Sequence, residues 1–274
     1  MAADLLCGEA FGGAIVSANF EELDYRPTPI GAVSLRRRHD LALGIDVYDI
    51  KLGDDFLMSS NYTASERALA TLALASLGDT RPEAARSGCL DVVVGGLGLG
   101  FTAQAVLEHN SVGSLTVIDY LAAVIEWHET GLIPLGAELT SDPRCRLVHA
   151  DFFALATADA GFDPSHPGRR FDAVLVDIDH SPDAFLAAGN ADFYSAESLA
   201  RMSRHLKPGG VFGLWSNEPP DALFVARLQA AFATARGEPV TFENTANDRF
   251  TQTVYLAWSE IQPAAAEAAT SGQP

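Results

Sequence analysis

Basic residues are scarce in this chain: 18 Lys and Arg stand against 36 Asp and Glu, a formal net charge of −18 over 274 residues. So acidic a surface repels phosphate backbones, which excludes nucleic acid as an expected partner, and it attracts cations, polyamines among them. Cysteine is scarce too. Cys7, Cys89 and Cys145 are odd in number and lack metal-type spacing, so reduced thiols are expected, with Cys89 and Cys145 buried in apolar strand patterns. No apolar run approaches the ~18 residues of a membrane span. The first residues, with Asp4 and Glu9, carry no basic segment of a secretion signal, and without one Leu5-Leu6-Cys7 is not read as a lipidation site. These absences together predict a cytoplasmic protein with no membrane partner.

What is present is a globular composition, 48% hydrophobic and 20% charged, in a chain that suits one large domain or a domain with a small appendage. Its organising stretch is Cys89-Leu90-Asp91-Val92-Val93-Val94-Gly95-Gly96-Leu97-Gly98-Leu99-Gly100, followed by a helical pattern from Phe101 to His109. An apolar β-branched run entering glycines at alternating positions predicts a buried strand, a tight turn and a helix start, the opening of a nucleotide-binding sheet. Gly96, Gly98 and Gly100 would let the backbone pass close to a ligand.

Ahead of it, residues 1–25 give little, and strand patterns run from Ile30 to Leu35, Leu41 to Ile50 and Phe56 to Met58. Gly44 and Gly53-Asp54-Asp55 punctuate them, which predicts a small antiparallel element over 1–61. Arg36-Arg37-Arg38-His39 reads as a solvated turn, with a ligand carboxylate as the other use for one of its arginines. Thr63-Ala64-Ser65-Glu66 has the form of a capping box opening a helix that Gly78 should end.

Strands and helices then alternate. Strands are expected at 90–94, 114–118, 145–149, 171–176, 211–215, 239–243 and 251–257, and helices at 100–109, 120–130, 152–156, 191–205 and 220–235. Connections of that length require parallel pairing with right-handed crossovers, hence a doubly wound, mostly parallel seven-stranded α/β sheet over 62–260. Residues 261–274, rich in Ala, read as a disordered tail.

Ligands in such sheets bind beyond the carboxyl ends of the strands, and acids collect there. Asp119 ends the second strand, about 20 residues past the glycines, where an acid takes ribose hydroxyls; capping the next helix is its other use. Asp151 follows the third strand, where an acceptor suits an exocyclic adenine amine. The fourth ends in Asp177-Ile178-Asp179-His180-Ser181-Pro182-Asp183. Residues two apart on an extended segment point to one side, so Asp177 and Asp179 would converge on something cationic. A metal is the rival occupant, but no further ligand cluster is nearby and none is predicted.

Glycines, acid, acid, acid pair, in this order, resemble the spermidine synthase (polyamine aminopropyltransferase) family. The most specific piece of the resemblance is Ser141-Asp142-Pro143-Arg144-Cys145-Arg146-Leu147-Val148-His149-Ala150-Asp151-Phe152; Leu115 to Glu126 and Leu206-Lys207-Pro208-Gly209-Gly210-Val211 add to it. The resemblance implies a Rossmann-like, class I methyltransferase-like fold and a cofactor that is S-adenosylmethionine or its decarboxylated form. It implies that Gly96, Gly98, Gly100 and Asp119 hold the methionine and ribose part, that Asp151 and Phe152 hold adenine, and that Asp177 is the catalytic acid accepting a proton from a small-molecule amine. Asp179, His180 and Tyr62 would contact that amine, and a homodimer is compatible with it. Gly98 stands where the family carries an Asp that grips the aminopropyl arm, and His180 where it carries a second acid. Transfer of a methyl or aminocarboxypropyl group therefore stays open beside aminopropyl transfer, as does a non-catalytic adenosyl-binding protein; a nicotinamide dehydrogenase fits the Asp-Pro-Arg run less well.

Overall fold

The computed structural model describes residues 19–82, 88–243 and 249–260; Cys7 and the expected tail over 261–274 lie outside them. The described residues open on an antiparallel meander of four strands, β1 (Phe20–Thr28), β2 (Gly31–Asp40), β3 (Ile45–Leu52) and β4 (Asp55–Ser59), paired in sequence order. β1 carries no apolar alternation in its sequence. It is an edge strand whose Glu21 and Glu22 pair with β2 arginines, and charge with a proline is what an edge tolerates.

Arg36 to His39 are not a turn but the second half of β2. They contain no turn-forming residue; the turn is at 41–44, where Asp40 accepts the N–H groups of Ala42 and Leu43. Arg36 and Arg37 pair with Glu22 and Glu21, Arg38 with Asp49 at 2.9 Å and His39 with Asp46 at 2.8 Å. The chain's own carboxylates thus engage all four side chains.

Helix α1 (Ala64–Thr80) follows, its stripe of Leu69, Ala70, Ala73, Leu74 and Leu77 buried at helical spacing. The capping box does not form: Thr63 makes no side-chain cap, and Glu66 turns inward. Nor does Gly78 end the helix, since it lacks the left-handed conformation a glycine stop uses.

The main sheet contains β5 (Leu90–Gly95), β6 (Val112–Asp119), β7 (Cys145–His149), β8 (Phe171–Val176), β9 (Leu206–Ser216), β10 (Thr234–Glu243) and β11 (Arg249–Trp258), in the order β10-β11-β9-β8-β5-β6-β7. From β9 to β7 all pairings are parallel, as the crossover lengths require. β11 is antiparallel to both neighbours because only a short connection separates it from β10. The order reverses at β5, flanked by β6 and β8, which makes its carboxyl end the switch point.

Helices α2 (Phe101–Leu107), α3 (Ala122–Glu129), α4 (Gly136–Ser141), α5 (Phe152–Thr157), α6 (Ala196–Ser203) and α7 (Ala222–Ala231) complete the layers. The helix expected over 191–205 is instead a 3₁₀ helix (Ala188–Tyr194) and α6, separated at Ser195, whose hydroxyl caps Ser198 N–H. Alternate β5 residues feed two cores. Val92 and Val94 join α1, α2, α3 and the meander's Val33, Leu35, Ile50 and Leu52; Val93 joins an aromatic core with Phe152, Phe162, Phe193 and Phe212. The first core binds the meander over the switch point, and Trp127 Nε1 donates to Asp24 at 2.7 Å across that junction.

Cys145 is partly buried, and burial pushes its thiol up to about 12. Cys89 is exposed rather than buried, because β5 begins one residue later. No helix among the described residues is long and apolar enough to cross a membrane.

At the amino ends of the strands Asp172, 1% exposed, pairs with Arg81 and with Lys207 at 2.7 Å and accepts Asp91 N–H at 2.8 Å. Removing one side of such a buried cluster leaves uncompensated charge. Asp172→Ala is expected to lower the unfolding free energy by about 3–5 kcal/mol in urea denaturation, and a loss under about 1 kcal/mol would contradict this role.

Candidate active site

A cavity of about 620 Å³ lies beyond the carboxyl ends of the central strands and is covered by the meander. Its floor is the glycine loop after β5. Gly96 adopts φ +92°, and its Cα is so close to the Asp177 carbonyl that a Cβ would collide with that oxygen. Gly98 adopts φ +48°, its carbonyl held by His128 Nε2 at 2.9 Å, and the Met58 sulfur fills the place where a side chain would project. Gly100, by contrast, does not line the cavity. It precedes α2 and packs against Leu139 and His128, so its contribution is to the helix start.

Asp119 lines the cavity from the end of β6. Its Oδ2 accepts Leu97 N–H at 2.8 Å and its Oδ1 accepts Leu121 N–H at 2.7 Å, so the carboxylate ties the glycine loop to the turn before α3. Burial raises its pKa, with these backbone donors opposing. Asp151 and Phe152 line the cavity beyond β7. Asp151 caps α5 through Ala154 N–H at 3.0 Å, and Phe152 stacks on Phe162 with ring centroids 5.1 Å apart.

Asp177 follows β8. Its N–H donates to the Gly95 carbonyl at 2.8 Å and its Oδ2 accepts the Thr102 hydroxyl at 2.6 Å. Burial pushes its carboxyl up to about 6, with the Thr102 bond opposing. Beside it stands Glu66, 7% exposed and bonded by the Ser65 hydroxyl at 2.7 Å. Burial, and then the charge of Asp177, push Glu66 up to about 7. Two carboxyls poised near neutrality in one cavity are equipped to exchange a proton and to hold a cation.

Asp179 does not converge with Asp177. The pleat ends at Val176, so the two-residue period no longer applies. Asp179 is 2% exposed and its carboxylate is consumed by Leu186 N–H at 2.7 Å, Asn190 Nδ2 at 2.9 Å and Tyr194 OH at 2.8 Å. It shapes the loop carrying the cavity's Leu186 and Asn190 and does not line the cavity itself. His180 does line it. Tyr62 does not: it is 38% exposed and stacks on Phe242.

Glu66, Thr102, Met58 and Trp215 are site residues that the sequence reading passed over. Glu66 carried a signal: it falls in register with Leu69, Ala70, Ala73 and Leu77, an acid on an otherwise apolar stripe. Among the described residues no group of three or more His, Cys, Asp or Glu is arranged to hold a metal.

Comparison with known proteins gives three findings. A family described as the spermine/spermidine synthase domain matches residues 86–225. The structure of spermidine synthase from Thermotoga maritima is similar at a TM-score of 0.62 and 17% identity, covering 89% of this chain and 74% of that one. A spermidine synthase in complex with the transition-state analogue AdoDATO is similar at 0.64 and 18%, covering 89% and 75%. At these identities the likeness to both structures is one of fold.

Glu66 and Asp177 bind protons more tightly folded than unfolded, so they favour the fold at acid pH and disfavour it as pH climbs from the ordinary carboxylate range toward about 7. Glu66→Gln is therefore expected to melt above the unsubstituted protein at about pH 8, the gap closing toward about pH 4. A gap that does not change with pH would contradict the shift.

Proposed function

The chain belongs to the spermine/spermidine synthase family, and on that footing we propose that it transfers the aminopropyl group of decarboxylated S-adenosylmethionine to a small-molecule amine, with Asp177 as the base. The observation that carries the proposal is the Asp177 carboxyl, pushed up to about 6 at the switch point and facing the same cavity as the glycine loop and Asp119. The cavity fits an adenosyl ligand. Its volume of about 620 Å³ is within the ~300–1,000 Å³ of small-molecule sites, and at Gly96 the loop meets the cavity as bare backbone. Asp119 would hold the ribose hydroxyls, and Asp151 and Phe152 the adenine.

Bound there, the donor supplies an activated sulfonium, so that a new carbon–nitrogen bond forms as the carbon–sulfur bond breaks with its electron pair passing to sulfur. The residues do the rest. Asp177 orients the amine and takes the proton that the nitrogen sheds, and Thr102 fixes the carboxylate that does so. Glu66 supplies a second carboxyl beside Asp177, with which the proton is shared near neutrality. Alignment of this kind contributes about 7–11 kcal/mol, and proton transfer to a positioned base about 10²–10⁴-fold.

One observation favours a second reading. No carboxylate projects from position 98, where Met58 takes the space, so nothing at that point selects a donor with a free ammonium arm. Methyl transfer from S-adenosylmethionine is that reading.

Incubation with decarboxylated S-adenosylmethionine and an amine is expected to release methylthioadenosine, and Asp177→Asn to slow it about 10²–10⁴-fold while adenosyl affinity holds. Release of S-adenosylhomocysteine from S-adenosylmethionine alone would replace the proposal with the second reading. Adenosyl binding without either product would leave a non-catalytic protein.

A further inference from the structure

One recess of the surface runs against the charge of the chain. Acids outnumber Lys and Arg 36 to 18, and most arginines among the described residues have a carboxylate partner. Among the described residues no carboxylate pairs with Arg170 or Arg204. Both line a single recess of about 180 Å³, together with Thr157, Asp159, Arg201 and His205.

Separate elements bring these residues together. Thr157 ends α5, Arg201 and Arg204 lie three residues apart at the end of α6, and Arg170 comes from the segment ahead of β8. The arginines are not needed to satisfy the helix end. The last carbonyls of α6 already accept the Arg204 N–H at 3.2 Å, the His205 N–H at 3.0 Å and the Ser203 hydroxyl at 2.9 Å, and Arg170 belongs to no helix. Glu197 engages Arg201 at 2.8 Å, but both side chains are at least half exposed, and such a pair yields to a competing anion. Asp159 is the single acid among the described residues lining the recess, and no ion pair among them joins it to an arginine. His205 adds no charge near neutral pH: burial lowers its pKa, the Ala156 and Ala158 carbonyls oppose this, and the charge of Arg204 lowers it further.

We infer that this recess binds a phosphate group, free or esterified to a small molecule, through Arg170, Arg201 and Arg204. Like charges gathered without a counter-ion repel, and an anion among them turns that repulsion into attraction. Each guanidinium presents a planar fork of donors that matches an oxyanion. A carboxylate has two oxygens to offer three forks, whereas a phosphate monoester has three and about two charges. The recess is several times the ~30 Å³ of one water in the liquid, which leaves room for such a group. Thr157 and Arg201 line the larger cavity as well, so the two spaces adjoin; neither the glycine loop nor Glu66 nor Asp177 lines the recess. The phosphate site is therefore a neighbour of the adenosyl site and not a part of it.

The test is calorimetric titration of the full chain with inorganic phosphate, glycerol 3-phosphate and acetate in turn, at fixed ionic strength because exposed charges are screened. At least one of the two phosphates is expected to bind about tenfold or more tightly than acetate, and the tighter of them identifies the phosphate as free or esterified. Replacing Arg170→Gln and Arg204→Gln together should weaken that binding at least about tenfold. Arg146→Gln, which removes an exposed arginine of β7 that has no carboxylate partner among the described residues, should leave it unchanged. All three side chains are exposed, and circular dichroism checks that each variant folds. Acetate binding as tightly as either phosphate, phosphate binding retained by the double variant, an equal loss in Arg146→Gln, or no binding at all would each overturn the inference.

Discussion

Two carboxyl groups held side by side in a buried place are the constraint on which the rest of this structure turns. Glu66 comes from the first turn of α1 and Asp177 from the end of β8. Thr102, at the start of α2, donates to Asp177 and reaches the Glu66 carbonyl at 3.3 Å. Three elements thus meet at one point, and each is there for its own reason. α1 is pinned by an apolar stripe, α2 is launched by the glycine loop, and β8 runs parallel to β5, the strand at which the sheet order reverses. The repulsion between the acids is tolerated because burial lets them retain a proton near neutrality.

The glycine loop makes that meeting possible. With a side chain at 96 the loop could not lie against the Asp177 carbonyl, and β5 and β8 could not deliver their ends to the same cavity. Met58 couples the meander to this arrangement, seated over Gly98 and accepting Leu99 N–H. The small sheet is therefore part of the site: it roofs the cavity with apolar side chains, while α1 supplies Glu66 and the end of β8 supplies Asp177.

Much of this was legible in the sequence, and the failures have physical causes. The β-branched runs of β5 and β8 are buried on both faces, so they announce themselves without neighbours. The glycines and Asp119 are fixed by local geometry and are equally visible. β1 was invisible because an edge strand is stabilised by ion pairs to β2, a partner that no local window contains. Arg36 to His39 misled for the same reason, as charges read locally as solvent. Glu66 matched a capping pattern, yet the cavity and not the helix end determines where its carboxylate points. Asp179 was extrapolated from a pleat that stops at Val176, and the tertiary demands of Leu186, Asn190 and Tyr194 claimed it. Gly98 was legible as a departure from its family; that Met58 fills the space is a long-range fact.

The proposed chemistry depends on Asp177 being a carboxyl tuned to exchange a proton near neutral pH. Carbon-13 NMR of protein labelled at aspartate carboxyls, with Asp177→Asn identifying the resonance, tests this directly. A resonance titrating near the expected value of about 6 and displaced when an adenosyl ligand and an amine are added is the predicted result. A resonance titrating in the ordinary aspartate range and indifferent to both ligands would contradict it.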